Sequence, residues 1–172
     1  MRSVETFATS RMVAERLRAS DLPELAAMNR DPVVMASLGG VMDEEETRKA
    51  LSRNLEHWDR NGYGLWIFRE KATGSFVGRA GLRFIEVKGA MESELLYALR
   101  SEFWGRGLAT EIGRELVSIG IETLELPEIV AFTVPGNQAS RRVMEKVGFN
   151  FDEHFDHGGV PHVLYRLRAS RY

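Results

Sequence analysis

The segment from residue 93 to residue 134 restricts the fold more than any other part of the chain. "SELLYALR" reads as a strand, "SEFWGRGLATEIG" turns through two glycines into a helix over 108–124, and "EIVAFTV" returns as a strand closed by Pro135-Gly136. Leu108, Ile112, Leu116 and Ile119 recur on one face of that helix at helical spacing. Strand, helix and strand in this order form a crossover, the unit that joins parallel neighbours in a sheet. Helices packed on a sheet follow from it.

The flanking sequence supplies the rest of the sheet. "RMVAERLR" (11–18) reads as a first strand. Ser20 is the candidate N-cap of a helix with Glu24 just inside it and Leu22, Leu25, Ala26 and Met28 on its apolar side, which "DPVV" and "LGGV" break. A second helix begins near Asp43 with Glu44, Glu45 and Glu46 in its first turn, where the helix dipole favours anions. Thr47, Leu51, Leu55 and Trp58 recur along it until "RNGYG" ends it. "YGLWIFRE" and "SFVGRAGLRFIEV" flank "KATG" as a hairpin. After the crossover, "NQASRRVMEKVGF" reads as a short helix with Ala139, Val143 and Val147 inward and Gly148 as its stop. "FNFDEHF" and "VPHVLYRLR" then flank the turn "DHGG". The expected order is β-α-α-β-β-β-α-β-α-β-β, a mixed sheet in the α+β or α/β range.

Composition excludes several classes of function. The 172 residues suit one domain over 1–172, long enough to bury about 70 % of the surface of the unfolded chain. A net charge of −2 and the lack of a basic stripe give no footprint for a nucleic-acid partner. There is no cysteine, hence no disulfide, thiolate metal site or cysteine nucleophile. The N-terminal residues lack the apolar core of a signal peptide, and no run reaches the roughly 18 apolar residues of a membrane span. The expectation is a soluble, cytoplasmic chain with no membrane partner. His154, His157 and His162 gather around the final hairpin and His57 stands apart, but none shows a ligand spacing, so no metal is expected.

The glycine turn carries the clearest chemical signal. Gly105 and Gly107 permit positive φ angles and leave the turn without side chains. Successive N–H groups can then converge on an anion, with the dipole of the following helix behind them. Thr110 could add a hydroxyl and Arg106 a positive charge. No lysine follows Gly107, so the P-loop pattern is absent, and the next glycine is Gly113, so GxGxxG is incomplete. An ordinary tight turn remains open on these residues alone.

"WGRGLATE" resembles the acetyl-CoA loop of the GNAT acetyltransferases, R/Q-x-x-G-x-G/A, aligned here as Trp104-Gly105-Arg106-Gly107-Leu108-Ala109. Trp104 departs from the Arg or Gln of the first position, a change familiar in the RimJ/RimL-like branch of ribosomal-protein N-terminal acetyltransferases. "TSRMVAERLRASDL", with Arg11 and Asp21, is similar to that branch's opening. Trp58, "GYGLWIF", "TGSFVGRAGL" and "PGNQASRRVMEKVGF" resemble the segments that follow. The resemblance implies a GNAT fold, with a mixed, mostly antiparallel sheet of roughly six to seven strands and about four helices on its two faces.

It also implies roles for single residues. Acetyl-CoA would be held by Leu99, Arg100, Trp104, Gly105, Arg106, Gly107, Leu108, Ala109, Thr110, Asn137 and Ser140. Glu94 matches the glutamate of the preceding strand and would be the general base, with Glu92 as its rival. The main-chain N–H of Leu99 would donate to the developing oxyanion. The position of the family's acidic tyrosine holds Met144, so Ser140 would relay the proton to the thiolate. Asn137 would meet the pantetheine arm, though an Asn after Pro-Gly is also a natural N-cap. Arg141 and Arg142 could meet a nucleotide phosphate or simply face solvent, and Leu96 stands where the family often has a small residue.

The implied reaction moves an acetyl group from a thioester to a primary amine in a ternary complex. An α-amine, with a pKa near 8, is about one-tenth neutral at pH 7, whereas a lysine amine needs far more help. A peptide or protein N-terminus is therefore favoured over a small amine such as an amino acid, polyamine or antibiotic. Two other classes stay open: a CoA-binding module without catalysis, and a nucleotide-binding regulator. A homodimer through the sheet edge or final hairpin is a further implication of the resemblance.

Overall fold

A computed structural model describes residues 4–169 as an α+β fold. Its strands are β1 (Thr6–Ala8), β2 (Met12–Arg16), β3 (Leu65–Glu70), β4 (Phe76–Val87), β5 (Ala90–Leu99), β6 (Glu128–Thr133), β7 (Asn150–His157) and β8 (Val160–Arg168). Its helices are α1 (Leu22–Asn29), α2 (Pro32–Met35), α3 (Glu44–Asn61), α4 (Leu108–Ser118) and α5 (Gln138–Val147). The sheet is mixed and has 8 strands in the order β1-β2-β3-β4-β5-β6-β8-β7, so the expected strand count was low. Two elements account for the difference in order. β1, "TFA", is too short to show a pattern. In α2 the Asp-Pro pair starts a helical turn instead of breaking one, because the Asp31 carboxylate accepts the Val33 N–H at 2.8 Å and Pro32 needs no partner at the first position.

The chain forms two compact units. One runs through Gly81 and includes Tyr97–Leu108; the other is Leu82–Leu96 with the residues after Leu108. In the first unit, buried Met12 and Ala14 alternate with exposed Val13 and Glu15 along β2, which pairs antiparallel with β3. The start of α1 corrects the sequence reading. Ser20 lies within a 3-10 turn, Ala19–Asp21, and Asp21 occupies the N-cap, where its carboxylate accepts the Arg18 N–H at 2.6 Å. Helix α3 begins as expected, with a reciprocal capping box between Asp43 and Glu46, both bonds 2.8 Å. Gly62, in the left-handed region at φ 73°, stops it.

Trp58 carries α3 onto the sheet. Its ring is buried, its indole N–H donates to the Leu65 carbonyl at 2.7 Å, and its ring meets Trp66 edge-on at 5.1 Å. This approach depends on the strands being bare where they cross. A Cβ on Gly64 would lie 2.6 Å from the Trp58 ring, and one on Gly81 would lie 2.2 Å from the Gly64 carbonyl oxygen.

In the second unit β5 pairs parallel with β6 at Glu94 and Val130, the product of the crossover through α4. β6 continues antiparallel onto β8, and β8 onto β7. The helix expected over 108–124 is present as α4 followed by a π-helical turn, Ile119–Thr123. Val87, Val130, Phe155 and Leu164 form a core cluster. On α5 the inward face is Met144 and Val147, with Ser140 half-buried, while Ala139 is exposed and Val143 only half-buried. Val147 is inward as expected, while Ser140 and Met144 take the places expected of Ala139 and Val143.

Arg166 on β8 ties four strands together. Its guanidinium binds both oxygens of Glu92 on β5 (2.6 and 2.9 Å), Glu128 on β6 (2.7 Å) and Asp152 on β7 (2.9 Å). These carboxylates, Glu92 first, hold its proton more tightly than that of a free arginine.

Candidate active site

β5 delivers the glycine loop. The Arg100 N–H donates to the Val77 carbonyl at 2.9 Å. Because successive N–H groups of an extended strand alternate between its edges, the Leu99 N–H points to the opposite edge. A 3-10 turn, Ser101–Phe103, buries Phe103 and is followed by Trp104, whose indole N–H returns to the Leu99 carbonyl at 2.9 Å. This bond explains a tryptophan at the first loop position: it closes the loop over the strand end while its ring stays half exposed. Arg100 itself pairs with Glu102 at 3.0 Å.

Gly105 and Gly107 adopt φ of 71° and 76°, the left-handed region. A side chain there costs about 1–2 kcal/mol. Nothing lies within 4 Å of the place a Gly105 Cβ would take, so the loop presents bare backbone to solvent. Helix α4 starts at Leu108, a buried anchor, with half-buried Ala109 and Thr110 in its first turn. Main-chain N–H groups and the helix dipole are thus the loop's means of attracting an anion.

The side chain of Arg106 points elsewhere. Its guanidinium hydrogen-bonds the Glu70 carboxylate and lies 5.5 Å from the centre of the Phe103 ring. Glu70 also accepts from the Thr73 hydroxyl at 2.9 Å. Arg106 first, then Thr73, hold the Glu70 carboxyl below its ordinary value. The pair therefore contributes above that ordinary value and is lost as pH falls through the lowered one. The Arg106 carbonyl accepts from Arg11 Nη1 at 2.8 Å.

Glu94 lies on β5 in the second unit and is buried. Its Oε2 accepts from Arg83 Nε on β4 at 2.8 Å, which fixes the carboxylate plane and supplies a counter-charge. Oε1 is the oxygen Arg83 does not engage. Glu92 is held through both oxygens by Arg166, an arrangement that ties it to the sheet.

At the start of α5, Asn137 is the N-cap. Its Oδ1 accepts the Ser140 N–H at 3.2 Å and its Nδ2 donates to the Thr133 hydroxyl at 3.0 Å. Replacing Asn137 by Ala is expected to cost about 1 kcal/mol of stability, measured by urea denaturation, since both bonds are lost. Met144, where the family tyrosine would stand, is buried as an apolar contact. Arg141 donates to the Tyr165 hydroxyl (3.1 Å) and the Pro135 carbonyl (3.2 Å), so it serves α5 itself; Arg142 is exposed.

Glu94, Asn137 and Ser140 thus belong to the second unit, and Leu99 through Leu108 to the first. Sequence reasoning gave no role to Glu70 or Arg83, and Arg11 only a place in a similar segment. Among the described residues no group of His, Cys, Asp and Glu is arranged to hold a metal ion, and no helix is long and apolar enough to cross a membrane.

The chain is similar to several known proteins. YkkB of Bacillus subtilis is 27 % identical over 168 residues, 94 % of this chain and 98 % of its own. A solved acetyltransferase of Agrobacterium tumefaciens superposes with a TM-score of 0.84 at 26 % identity, covering 98 % and 96 % of the two chains. RimL, the ribosomal L7/L12 alpha-N-protein acetyltransferase solved with coenzyme A, superposes with a TM-score of 0.79 at 18 % identity over 95 % and 98 %. The family profile of the acetyltransferase (GNAT) domain matches residues 11–150, most of the chain and every element from β2 through α5. The chain belongs to the GNAT acetyltransferases, and it is an acyltransferase.

Proposed function

We propose that this acyltransferase moves an acetyl group from acetyl-CoA to a protein or peptide N-terminal α-amine, by direct attack in a ternary complex. The observation that carries the reading is the bare, positive-φ backbone of Gly105 and Gly107 leading directly into α4. Acetyl-CoA supplies the acyl group as an activated thioester. Glu94 takes the proton of the incoming amine at Oε1 while Arg83 holds Oε2. The Leu99 N–H donates to the oxygen on which charge develops. Ser140, half-buried on α5, relays a proton to the departing thiolate.

The acceptor assignment draws on two supports. A low-pKa α-amine asks least of a single carboxylate base. RimL, among the structural neighbours, is an alpha-N-protein acetyltransferase. Thermal shift with acetyl-CoA, CoA, ATP and NAD is the first test. Stabilisation by the two CoA ligands alone is expected, whereas stabilisation by ATP or NAD alone would point to a nucleotide-binding regulator. Thiol release is then measured against peptides with varied N-termini and against small amines including polyamines. Higher kcat/KM on peptides supports the acceptor, higher kcat/KM on small amines replaces it, and binding without release of thiol leaves a CoA-binding module.

A further inference from the structure

The glycine loop is gripped from behind by a residue outside it. Arg11 precedes β2, and the Arg11–Met12 peptide is fixed at both of its polar groups: the Arg11 carbonyl accepts the Lys71 N–H at 2.9 Å, and the Met12 N–H donates to the Thr9 hydroxyl at 3.1 Å. From that footing Nη1 donates to the Arg106 carbonyl at 2.8 Å, and Nη2 lies 3.7 Å from the Cβ position of Gly107. One arm of the guanidinium therefore bonds the Arg106–Gly107 peptide, while the other lies beside Gly107. No peptide in the described chain is cis, and in a trans peptide C=O and N–H point in opposite directions. Holding the Arg106 oxygen on the Arg11 side aims the Gly107 N–H away from it. The Arg106 side chain, bound to Glu70 and stacked on Phe103, secures the same residue a second time.

We propose that Arg11 is a positioning residue for diphosphate binding, orienting the Gly107 N–H towards the ligand by holding the carbonyl of the same peptide. The proposal rests on the reading that this loop holds the diphosphate of acetyl-CoA. It assigns the loop's charge to the rear of the backbone, where Arg11 restrains its conformation, and leaves the front to main-chain donors. A lysine could supply the charge but not the planar, directed donor of a guanidinium.

The test compares the full-length wild type with Arg11→Ala and Arg11→Lys by calorimetric titration with CoA and by kinetics with two acyl donors. Acetyl-CoA carries the diphosphate and S-acetylpantetheine does not. Arg11→Ala is expected to raise the Kd for CoA and the KM for acetyl-CoA about tenfold, the scale of one charge-assisted hydrogen bond. It is expected to leave kcat within about twofold and the KM for S-acetylpantetheine unchanged, since neither depends on the diphosphate. Arg11→Lys should recover only part of the affinity. Equal loss with both donors, full recovery by lysine, or unchanged CoA affinity in Arg11→Ala overturns the assignment. A wild type that binds no CoA overturns the reading of the loop itself, so the two failures are distinguishable.

Discussion

Glu94→Gln is expected to lower kcat about 100-fold, the lower end of what a positioned general base contributes. Glutamine keeps the shape of the side chain, and its amide oxygen can still accept from Arg83 Nε, so the 2.8 Å link between β4 and β5 has a replacement. What is lost is the capacity to take up a proton. KM for acetyl-CoA should therefore move little while kcat falls, the pattern of an interaction made in the transition state. Glu92→Gln is the comparison: Glu92 is bound through both oxygens by Arg166, and its loss should lower stability with kcat preserved. Steady-state kinetics on both variants, with thermal melts as a check of folding, decides the matter. A Glu94→Gln enzyme that keeps wild-type kcat on its preferred amine removes this residue from the mechanism.

Gly81→Ala should destabilise the chain by about 3 kcal/mol, at the upper end of the cost of overpacking a core. The added methyl would stand 2.2 Å from the Gly64 carbonyl oxygen and 2.7 Å from the Leu65 Cα, backbone atoms at the entry to β3 that no rotamer change can move. Separating β4 from β3 would relieve the clash. It would also pull on Leu65, whose carbonyl accepts the Trp58 indole, so the seat of α3 would loosen with it. For a chain of this length the expected fall in Tm is about 10 °C, read by differential scanning calorimetry. A shift under about 2 °C would mean that the strands can part without loss, contrary to the packing described.

Much of this architecture was legible because local chemistry and tertiary placement agree. The start of α3 near Asp43, its end in "RNGYG", the β3–β4 hairpin and the crossover into β6 all appear where sequence placed them. The misses come both from local bonds that compete with one another and from contacts distant in sequence. Ser20 is a good cap former, yet Asp21 takes that place. Ala139 fits an apolar face, but α5 turns the half-buried Ser140 and buried Met144 inward instead. The glycine loop could be found from its residues, whereas its grip could not, since Arg11 reaches it across 95 positions. Arg83 was within reach. Lys88 and Gly89, at φ 51° and 84°, make the tight turn of a two-residue hairpin, and equal counting outward from them sets Arg83 opposite Glu94.

The Arg166 hub also bears on how quickly the chain comes apart. Its partners Glu92, Glu128 and Asp152 lie 74, 38 and 14 positions away, so the guanidinium can be fully enclosed only after three long loops have closed. Enclosing it requires β5, β6, β7 and β8 all to be in register. Interactions completed after the rate-limiting step leave the folding rate alone and slow the reverse reaction. Removing the four-strand hub, as in Arg166→Ala, is therefore expected to speed unfolding more than it slows folding, read by stopped-flow denaturant kinetics.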